Sequence, residues 1–342
     1  MTEADAAFDH RLAPFRGELI AYCYRMLGSA HDAEDLVQDT YLRAWRARDS
    51  YDASRASLRT WLYRIATNVC LSALEGRARR PLPSGLVGAV AADAPFTPGF
   101  EVPWLQPLPD AMLAAPDPAV AAVDRGTLRL AFAAALQHLS AKERAALVLR
   151  EVLDFSATEA SGILGITVAA VNSALQRARA RLRGLDVTTT DATEPSDAEQ
   201  RARLDRYMAA FLRADVEALT RLLADDVLME MPPMLNWFTG PANYAAFMRW
   251  VFEANGTDWR LVPVAANGQP GFAAYNRVGD EYRLHTLQIF SVTSRGISRN
   301  SVFQNDEVFT SFGLAPVLDD AAQTFESCSS TSIESLPDAS HL

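Results

Sequence analysis

The sequence is poor in cysteine and has no long apolar run. Its three cysteines, Cys23, Cys70 and Cys328, lie far apart and show no CxxC spacing. This pattern disfavours a disulfide framework or a zinc site and fits reduced thiols. No stretch of about 18 apolar residues is present, so we expect no membrane span. The charged N-terminus has no apolar core of a signal peptide, so we expect a cytoplasmic protein.

Positive charge is scarce across the chain as a whole. The formal net charge is −10 at pH 7, and Lys142 is the only lysine. The chain is therefore not one of the highly basic proteins that coat nucleic acid. A single basic face is nevertheless sufficient for DNA binding. Residues 168–185 instead have a positive net charge, since they contain arginines and no acidic residue. This local reversal points to DNA.

The 342 residues suffice for two or three domains. Two blocks with helical periodicity are separated by a stretch with nine prolines, and a short polar linker follows the second block. Helices and then strands come next, an order that favours a separate α+β domain, and a Ser- and Asp-rich tail is predicted to be disordered. The predicted division is 8–80, 81–122, 123–185, 186–197, 198–318 and 319–342.

Residues 156–183 have the pattern of a helix-turn-helix. Ser156 and Glu159 form a potential capping box before a short apolar helix. Gly165 lies where the chain must turn sharply, and Thr167 is a second N-cap candidate. Small and polar residues then face away from the apolar side of the second helix, so they could enter a major groove, with arginines beside the phosphates. The candidate DNA-contacting residues are Thr167, Ala169, Ala170, Asn172, Ser173, Gln176, Arg177, Arg179 and Arg181.

Two further helices carry candidate contacts, each with a structural alternative. In residues 31–46, Asp32, Asp35 and Asp39 share one face, which suits a metal site, a solvated acidic face or a docking stripe for a basic partner. Residues 57–80 form an amphipathic helix with aromatics and a basic end. Its aromatics are either ordinary core or a platform for an unstacked DNA strand.

These stretches resemble bacterial RNA polymerase sigma factors of the extracytoplasmic-function (ECF) type. "AEDLVQDTYLRAW" is similar to region 2.2, "LRTWLYRIATNVCLSAL" to regions 2.3 and 2.4, and residues 139–183 to region 4. The three occur in family order, are separated by a linker and cover nearly all of the first 185 residues. The resemblance implies all-α regions 2 and 4, binding to the β′ clamp and β subunits of core polymerase, and recognition of promoter DNA.

The resemblance also implies roles for individual residues. Asp32, Asp35, Gln38 and Asp39 would dock core polymerase, and the helix-turn-helix residues would read the −35 element. The family usually has basic residues where Asn172 and often Ala174 stand here, so a different −35 preference is expected. The residues implied for opening and reading the −10 element are Trp61, Tyr63, Arg64, Asn68, Arg77, Arg79 and Arg80.

The last third resembles the SnoaL-like (NTF2-like) cone fold, in which helices pack on a curved sheet. This combination is similar to ECF factors with a fused SnoaL-like domain, close to the sigma factor G and sigma factor J subgroups of actinobacteria. "VPWLQPLPD" (102–110) resembles a linker motif of that group. The domain is interpreted as a module that regulates the chain in cis. The candidate ligand-pocket residues are Met231, Trp237, Tyr275, His285 and Phe290.

The sequence thus predicts a sigma factor that directs promoter-specific transcription initiation and is not an enzyme. No cofactor, metal or catalytic residue is expected. Two alternatives stay open at this point: a one-component regulator with a ligand domain, and a SnoaL-like small-molecule enzyme with a DNA-binding appendage. Whether an anti-sigma protein or a small ligand binds the C-terminal domain is likewise left open by the sequence.

Overall fold

A computed structural model describes residues 8, 10–113, 126–185, 196–318 and 325. Most of the predicted polar linker and nearly all of the predicted disordered tail lie outside these residues, as does Cys328. Within the described chain, no helix is both long and apolar enough to cross a membrane. Nor do His, Cys, Asp and Glu side chains of these residues gather into a group that could hold a metal ion.

The first block is helical, and its helix ends follow from local capping. Gly28 has a φ of 74° and ends the first helix in the left-handed conformation that glycine adopts without strain. The Ser29 and Ser57 side chains accept hydrogen bonds from the first turns of the next two helices. The helices are α1 (Arg16–Leu27), α2 (Ala30–Arg46) and α3 (Leu58–Leu74).

The second block contains the predicted helix-turn-helix. The capping box of Ser156 and Glu159, the turn at Gly165 and the N-cap at Thr167 are all confirmed. A further capping box joins Ser140 to Glu143. The helices are α4 (Leu130–Leu136), α5 (Ala141–Leu147), which continues as a π-turn over Val148–Val152, α6 (Ala157–Leu164) and α7 (Val168–Arg183).

The third block is a six-stranded mixed sheet with helices, and the predicted α+β fold class is confirmed. The strand order is β2-β1-β6-β5-β4-β3, with β1 and β6 parallel and the other neighbours antiparallel. The elements are α8 (Asp197–Leu212), α9 (Val216–Thr220), β1 (Leu223–Glu230), β2 (Trp237–Thr239), α10 (Gly240–Asn255), β3 (Trp259–Ala266), β4 (Gln269–Val278), β5 (Glu281–Thr293), β6 (Gly296–Phe303) and α11 (Asp306–Ser311).

Both faces of this sheet are covered. Phe272 and Ala274 of β4 join the apolar cluster that contains residues of α8 and α10. Ala273 and Tyr275 of the same strand belong to a second cluster that includes buried residues of α1, α3 and α7. Because neighbouring strand residues point to opposite faces, the sheet lies between its own helices and an apolar cluster shared with both helical blocks.

Candidate nucleic-acid interface

The second helix of the helix-turn-helix presents an exposed polar face. Helix α7 buries Val171, Ala174, Leu175 and Ala178 against its own block, and every predicted −35 residue lies on the exposed side. Within the described chain, Asn172 and Gln176 make no side-chain hydrogen bond, so their amides are available to base edges. The exposed residues are Thr167, Ala169, Ala170, Asn172, Ser173, Gln176, Arg177, Arg179 and Arg181.

The arginines of this face are held by acidic residues of α5 and the π-turn. Arg177 Nε donates to Glu143 Oε1 at 2.9 Å, and Arg181 lies 3.5 Å from the same carboxylate. Arg179 pairs with Glu151. Burial raises the pKa of Glu143, but hydrogen bonds from Arg177 and Ser140 and the charge of Arg181 outweigh it, so its pKa lies below the ordinary value. The guanidinium groups are therefore positioned before any DNA contact.

The acidic residues of α2 divide into two kinds. Asp35 and Asp39 have side chains that are 57% and 39% exposed, and their partners, His31 and Arg43, lie on the same helix. Gln38 is also exposed. Asp32 is only 20% exposed, because Arg77 and Arg80 approach its Oδ2 atom at 3.1 and 2.8 Å. Asp35, Gln38 and Asp39 thus form a free surface, whereas Asp32 is engaged within the chain.

The residues predicted to bind the −10 element differ in their exposure to solvent. Arg64 and Asn68 of α3 are exposed. Trp61 is half-buried and lies against Tyr51, with a ring-centroid distance of 5.2 Å. Tyr63 is fully buried, and its ring meets Phe155 of the second block edge to face at 5.1 Å. In this arrangement Tyr63 cannot touch DNA.

The basic end of this segment makes contacts inside the protein. Besides the pairs with Asp32, Arg80 donates to the Trp104 carbonyl at 3.2 Å. Arg79 lies 3.0 Å from His138 Nδ1, which belongs to the second block. Burial, together with the charges of Arg79 and Arg144, lowers the pKa of His138. Arg77 and Arg80 thus pair with α2, Arg80 also contacts the linker, and Arg79 contacts the second block.

Two arginines, the partly buried Arg59 and the buried Arg144, form contacts between these blocks. Arg59 of α3 hydrogen-bonds Glu18 and the Leu153 carbonyl of the second block. Arg144 of α5 donates to the Met26 carbonyl of α1 and, at 3.0 Å, to Gln137 Oε1. Burial lowers the pKa of Arg144 to about 10. The side of α3 that carries Tyr63 is consequently covered by the helix-turn-helix block.

The Trp-containing linker motif, residues 102–110, packs on the first block. The Gln106 carbonyl accepts from Tyr24 Oη at 2.8 Å, and Gln106 Oε1 accepts from Ser29 Oγ at 2.8 Å. Leu105 and Leu108 are fully buried. Since Ser29 also caps α2, the linker is joined directly to the first turn of the acidic helix.

A turn of the C-terminal sheet contacts both helical blocks and the linker motif. Residues 266–269, here called the clamp turn, connect β3 to β4. The Asn267 amide nitrogen donates to Tyr24 Oη of α1 at 2.9 Å and to the Leu128 carbonyl at 2.6 Å, and its oxygen accepts from Leu108 N at 2.8 Å. Gln269 accepts from Leu130 N at 3.0 Å. The side chain of Asn267 thus links both helical blocks and the linker.

The residues predicted for a ligand pocket do not lie together. Met231 and His285 line a cavity of the C-terminal domain. Trp237 instead donates to the Val87 carbonyl, and Tyr275 donates to the Ala315 carbonyl. Phe290 is packed inside the core against other aromatic rings. Phe96 of the linker also lines the cavity, and no sequence pattern singled it out.

Comparisons with known proteins match each block separately. The family models that match describe Sigma-70 region 2 at residues 13–80, Sigma-70 region 4 at residues 129–182, and a SnoaL-like domain at residues 204–300. Over 311 aligned residues, the chain is 43% identical to ECF RNA polymerase sigma factor SigG of Mycobacterium tuberculosis. The aligned residues make up 90% of this chain and 84% of that protein.

More distant relatives share the same parts. ECF RNA polymerase sigma factor SigW of Bacillus subtilis is 33% identical over 169 residues, which are 49% of this chain and 83% of that protein. The crystal structure of the Mycobacterium tuberculosis ECF sigma factor SigJ superposes with a TM-score of 0.56 and 24% identity. That match covers 87% of this chain and 96% of the other, and it shows a shared fold.

Proposed function

Because the chain belongs to the ECF sigma factors, we propose specific roles for its exposed faces within that family's function. The chain is a sigma factor that directs transcription initiation, and it is not an enzyme. Its partners are core RNA polymerase and promoter DNA, so its place of action is the cytoplasm. We also propose the following division of the chain. The domains are 8–80, 123–185 and 198–318, the linkers are 81–122 and 186–197, and the tail is 319–342.

The free acidic surface of α2 is the docking site for core polymerase. Asp35 and Gln38 are exposed along one side of the helix, and the Asp39 side chain beside them is 39% exposed, which suits a basic partner surface. Asp32, in the first turn, is paired with Arg77 and Arg80 and can bind the partner only after these ion pairs separate. Complementary charge of this kind guides association and fixes the register of the partners.

The two DNA-binding surfaces differ in their availability. The α7 face is exposed and can enter a major groove at the −35 element. The α3 helix supplies Trp61, Arg64 and Asn68 for the −10 element, but the helix-turn-helix block covers the side that carries Tyr63. We assign this arrangement to a closed state that must open before the −10 element is melted.

The C-terminal domain regulates this opening in cis. The clamp turn hydrogen-bonds both helical blocks and the linker at once, through the buried side chain of Asn267. This is the observation that carries the regulatory proposal. Contacts that exist in the closed state alone lower its free energy relative to an open state, so the domain acts as an inhibitor.

In vitro transcription with purified core polymerase and the full chain, over a library of promoters, tests the function. We expect initiation at a defined −10/−35 pair. Removing the C-terminal domain is a poor test, because Ala273, Tyr275 and Leu287 of the sheet share an apolar cluster with the helical blocks, and truncation would expose it. No core binding and no initiation would contradict the proposed roles of α2, α3 and α7.

Substitution of Gln176 by alanine is expected to reduce −35-dependent transcription. Loss of a base contact of this type costs about 1–3 kcal/mol, or roughly 5–150-fold in DNA affinity. The Gln176 side chain is exposed and makes no hydrogen bond in the described chain, so the melting temperature should not change. The measurement is transcription from a set of promoters that differ at single −35 positions.

Arg183→Ala is the matched control on the same helix. Arg183 is exposed at the end of α7, where a phosphate contact is expected. Its loss should weaken all promoters about equally and reduce the salt dependence of binding. The Gln176 variant should instead change the preference among −35 sequences. Identical behaviour of the two variants would remove Gln176 from base recognition.

A further inference from the structure

A basic cavity lies between the two helical blocks and is separate from the cavity of the C-terminal domain. Its volume is about 200 Å³. The first block contributes the ends of α1 and α3, the start of α2 and the arginine-rich segment that follows α3. The second block contributes the connection between α4 and α5 and one residue of α5. We call this space the interblock cavity.

Positive charge dominates the interblock cavity. Within the described chain, its charged lining residues are Asp32, Arg77, Arg79, Arg80 and Arg144. Arg77 and Arg80 share one carboxylate oxygen, Asp32 Oδ2, at 3.1 and 2.8 Å. Arg79 contacts His138 Nδ1 at 3.0 Å and pairs with no carboxylate of the described residues. The lining therefore carries an excess of three positive charges.

Arg144 is the least solvated of these cations. The residue is only 4% exposed, and it donates to neutral oxygens, which are the Met26 and Leu139 carbonyls and the Gln137 side chain. Its Nε atom has no acceptor among the described residues. A buried charge without an opposite charge is costly, and burial lowers the pKa of Arg144 to about 10. An anion in the cavity would supply the missing countercharge.

The guanidinium groups select an anion with several negative charges and many oxygen atoms. Each guanidinium has five N–H donors in a planar fork that matches phosphate oxygens, so Arg77 and Arg80 can keep Asp32 and still donate to a ligand. One phosphate group carries about 1.5–2 negative charges at pH 7, which is less than the excess in the lining. Two linked phosphate groups match this excess more closely.

The size of the interblock cavity agrees with this choice. Sites for drug-sized molecules have volumes of roughly 300–1,000 Å³, whereas this cavity has about 200 Å³. It therefore suits a diphosphate group and not a complete nucleotide. Arg77 and Arg79 are exposed, so the cavity has a solvent-facing side through which a nucleoside attached to the diphosphate can extend.

We propose that the interblock cavity binds a diphosphate group, free or as part of a nucleotide, and that the bound anion holds the two helical blocks together. Arg79 belongs to the first block and Arg144 to the second, so a ligand that contacts both favours the closed state. The anion thereby opposes initiation. This regulatory consequence rests on the proposed function, whereas the binding site itself does not.

Calorimetric titration of the full chain with inorganic pyrophosphate tests the site. We expect saturable binding of one pyrophosphate per chain at low salt concentration. Orthophosphate and sulfate, at matched ionic strength, should bind at least about tenfold more weakly, because they carry fewer charges and fewer oxygen atoms. Equal affinity for the three anions, or no saturable binding, would overturn the proposal.

Adenosine and guanosine nucleotides identify the source of the diphosphate. If ADP or GDP binds at least as tightly as pyrophosphate, the ligand is a nucleotide whose nucleoside lies outside the cavity. If both bind at least about tenfold more weakly, the ligand is free diphosphate. Each result supports a diphosphate site. AMP that binds as tightly as ADP would contradict it, because recognition would then depend on the nucleoside.

Substitutions of opposite sign locate the bound anion. Arg79→Gln removes an exposed cationic donor from the cavity and should reduce pyrophosphate affinity at least about tenfold. Asp32→Asn removes the acidic group of the lining and should increase the affinity. Arg46→Gln is the matched control, because Arg46 is exposed at the far end of α2 and does not line the cavity. Equal losses in Arg79→Gln and Arg46→Gln would place the anion elsewhere.

Hydrogen exchange tests whether the anion joins the two blocks. Pyrophosphate should slow exchange of the backbone amides in both segments that line the cavity, residues 77–80 and residues 137–141. Protection of one segment alone would refute the joining of the blocks. These measurements need neither polymerase nor promoter, so their outcome is independent of whether the chain initiates transcription.

Discussion

Reversing the charges of Asp35 and Asp39 together, as Asp35→Arg and Asp39→Arg, is expected to weaken binding to core RNA polymerase by roughly 100-fold or more. Like charges placed against each other at an interface cost several kcal/mol, and two reversals on one exposed face act on the same contact. Binding of the full chain to core polymerase at fixed salt concentration gives the measurement. In vitro transcription should fall in parallel.

The fold should survive this change, because neither aspartate supports another element. Their ion pairs, to His31 and Arg43, are exposed pairs within one helix, and such pairs contribute little to stability. Asp32 would be a poor choice for the same experiment. Its carboxylate joins Arg77 and Arg80 to the start of α2, so its reversal would disturb the contact between helical segments.

Asp49→Arg is the matched control for the docking surface. Asp49 lies in the same block, its side chain is 90% exposed, and it is outside the α2 face. The control changes the charge of the block in the same sense and should leave polymerase binding nearly unaltered. The control adds half the charge of the double reversal. If it lowers the binding free energy by half as much, the effect is one of overall charge, and the α2 face is not the docking site.

The local structure could be predicted from the sequence where short-range chemistry determines it. Ser156, Gly165 and Thr167 form caps and a turn through residues within four positions, so the helix-turn-helix was predicted correctly. The order of helices followed by strands in the C-terminal third was likewise predicted correctly. Caps, turns and periodicity are local signals and need no knowledge of the tertiary arrangement.

The burial of the α3 side chains and the ion pairs of the arginines that follow α3 could not be predicted in this way. Trp61 and Tyr63 are aromatic residues on one amphipathic helix, yet one is half-buried and the other fully buried beneath Phe155. Arg77 and Arg80 pair with Asp32, which lies more than forty positions earlier. Burial and pairing here depend on how the blocks pack, and that packing leaves no periodic signal in the sequence.

The residues that line the cavity of the C-terminal domain could not be predicted from the sequence either. Tyr275 and Phe290 lie on neighbouring strands, and the strand pattern does not reveal which aromatic residues face a cavity. Tyr275 belongs to the cluster shared with the helical blocks, while Phe290 fills the domain core. Phe96 lines the cavity from a proline-rich linker more than a hundred residues away from most of the wall. Such a contact arises from tertiary structure alone.

Replacing Asn267 by glycine is expected to open the closed state and to raise transcription from a −10/−35 promoter by roughly 10–100-fold. The backbone of Asn267 has a φ of 58°, which glycine adopts without strain, so the variant removes the side chain alone. Leu108 N and the Leu128 carbonyl then lose their partners in the closed state. An unpaired buried group of this kind costs about 1–3 kcal/mol, and water can satisfy both groups once the blocks separate.

Single-round transcription and small-angle X-ray scattering of the full chain measure the two consequences of this substitution. Transcription should rise and the radius of gyration should increase. Ala214→Gly is the matched control, because Ala214 also has a positive φ, of 52°, in the C-terminal domain, but it bonds only within its own block. If Asn267→Gly lowers transcription while the protein stays folded, the clamp turn activates the factor. Unchanged transcription with unchanged scattering would mean that Asn267 does not set the balance between closed and open states.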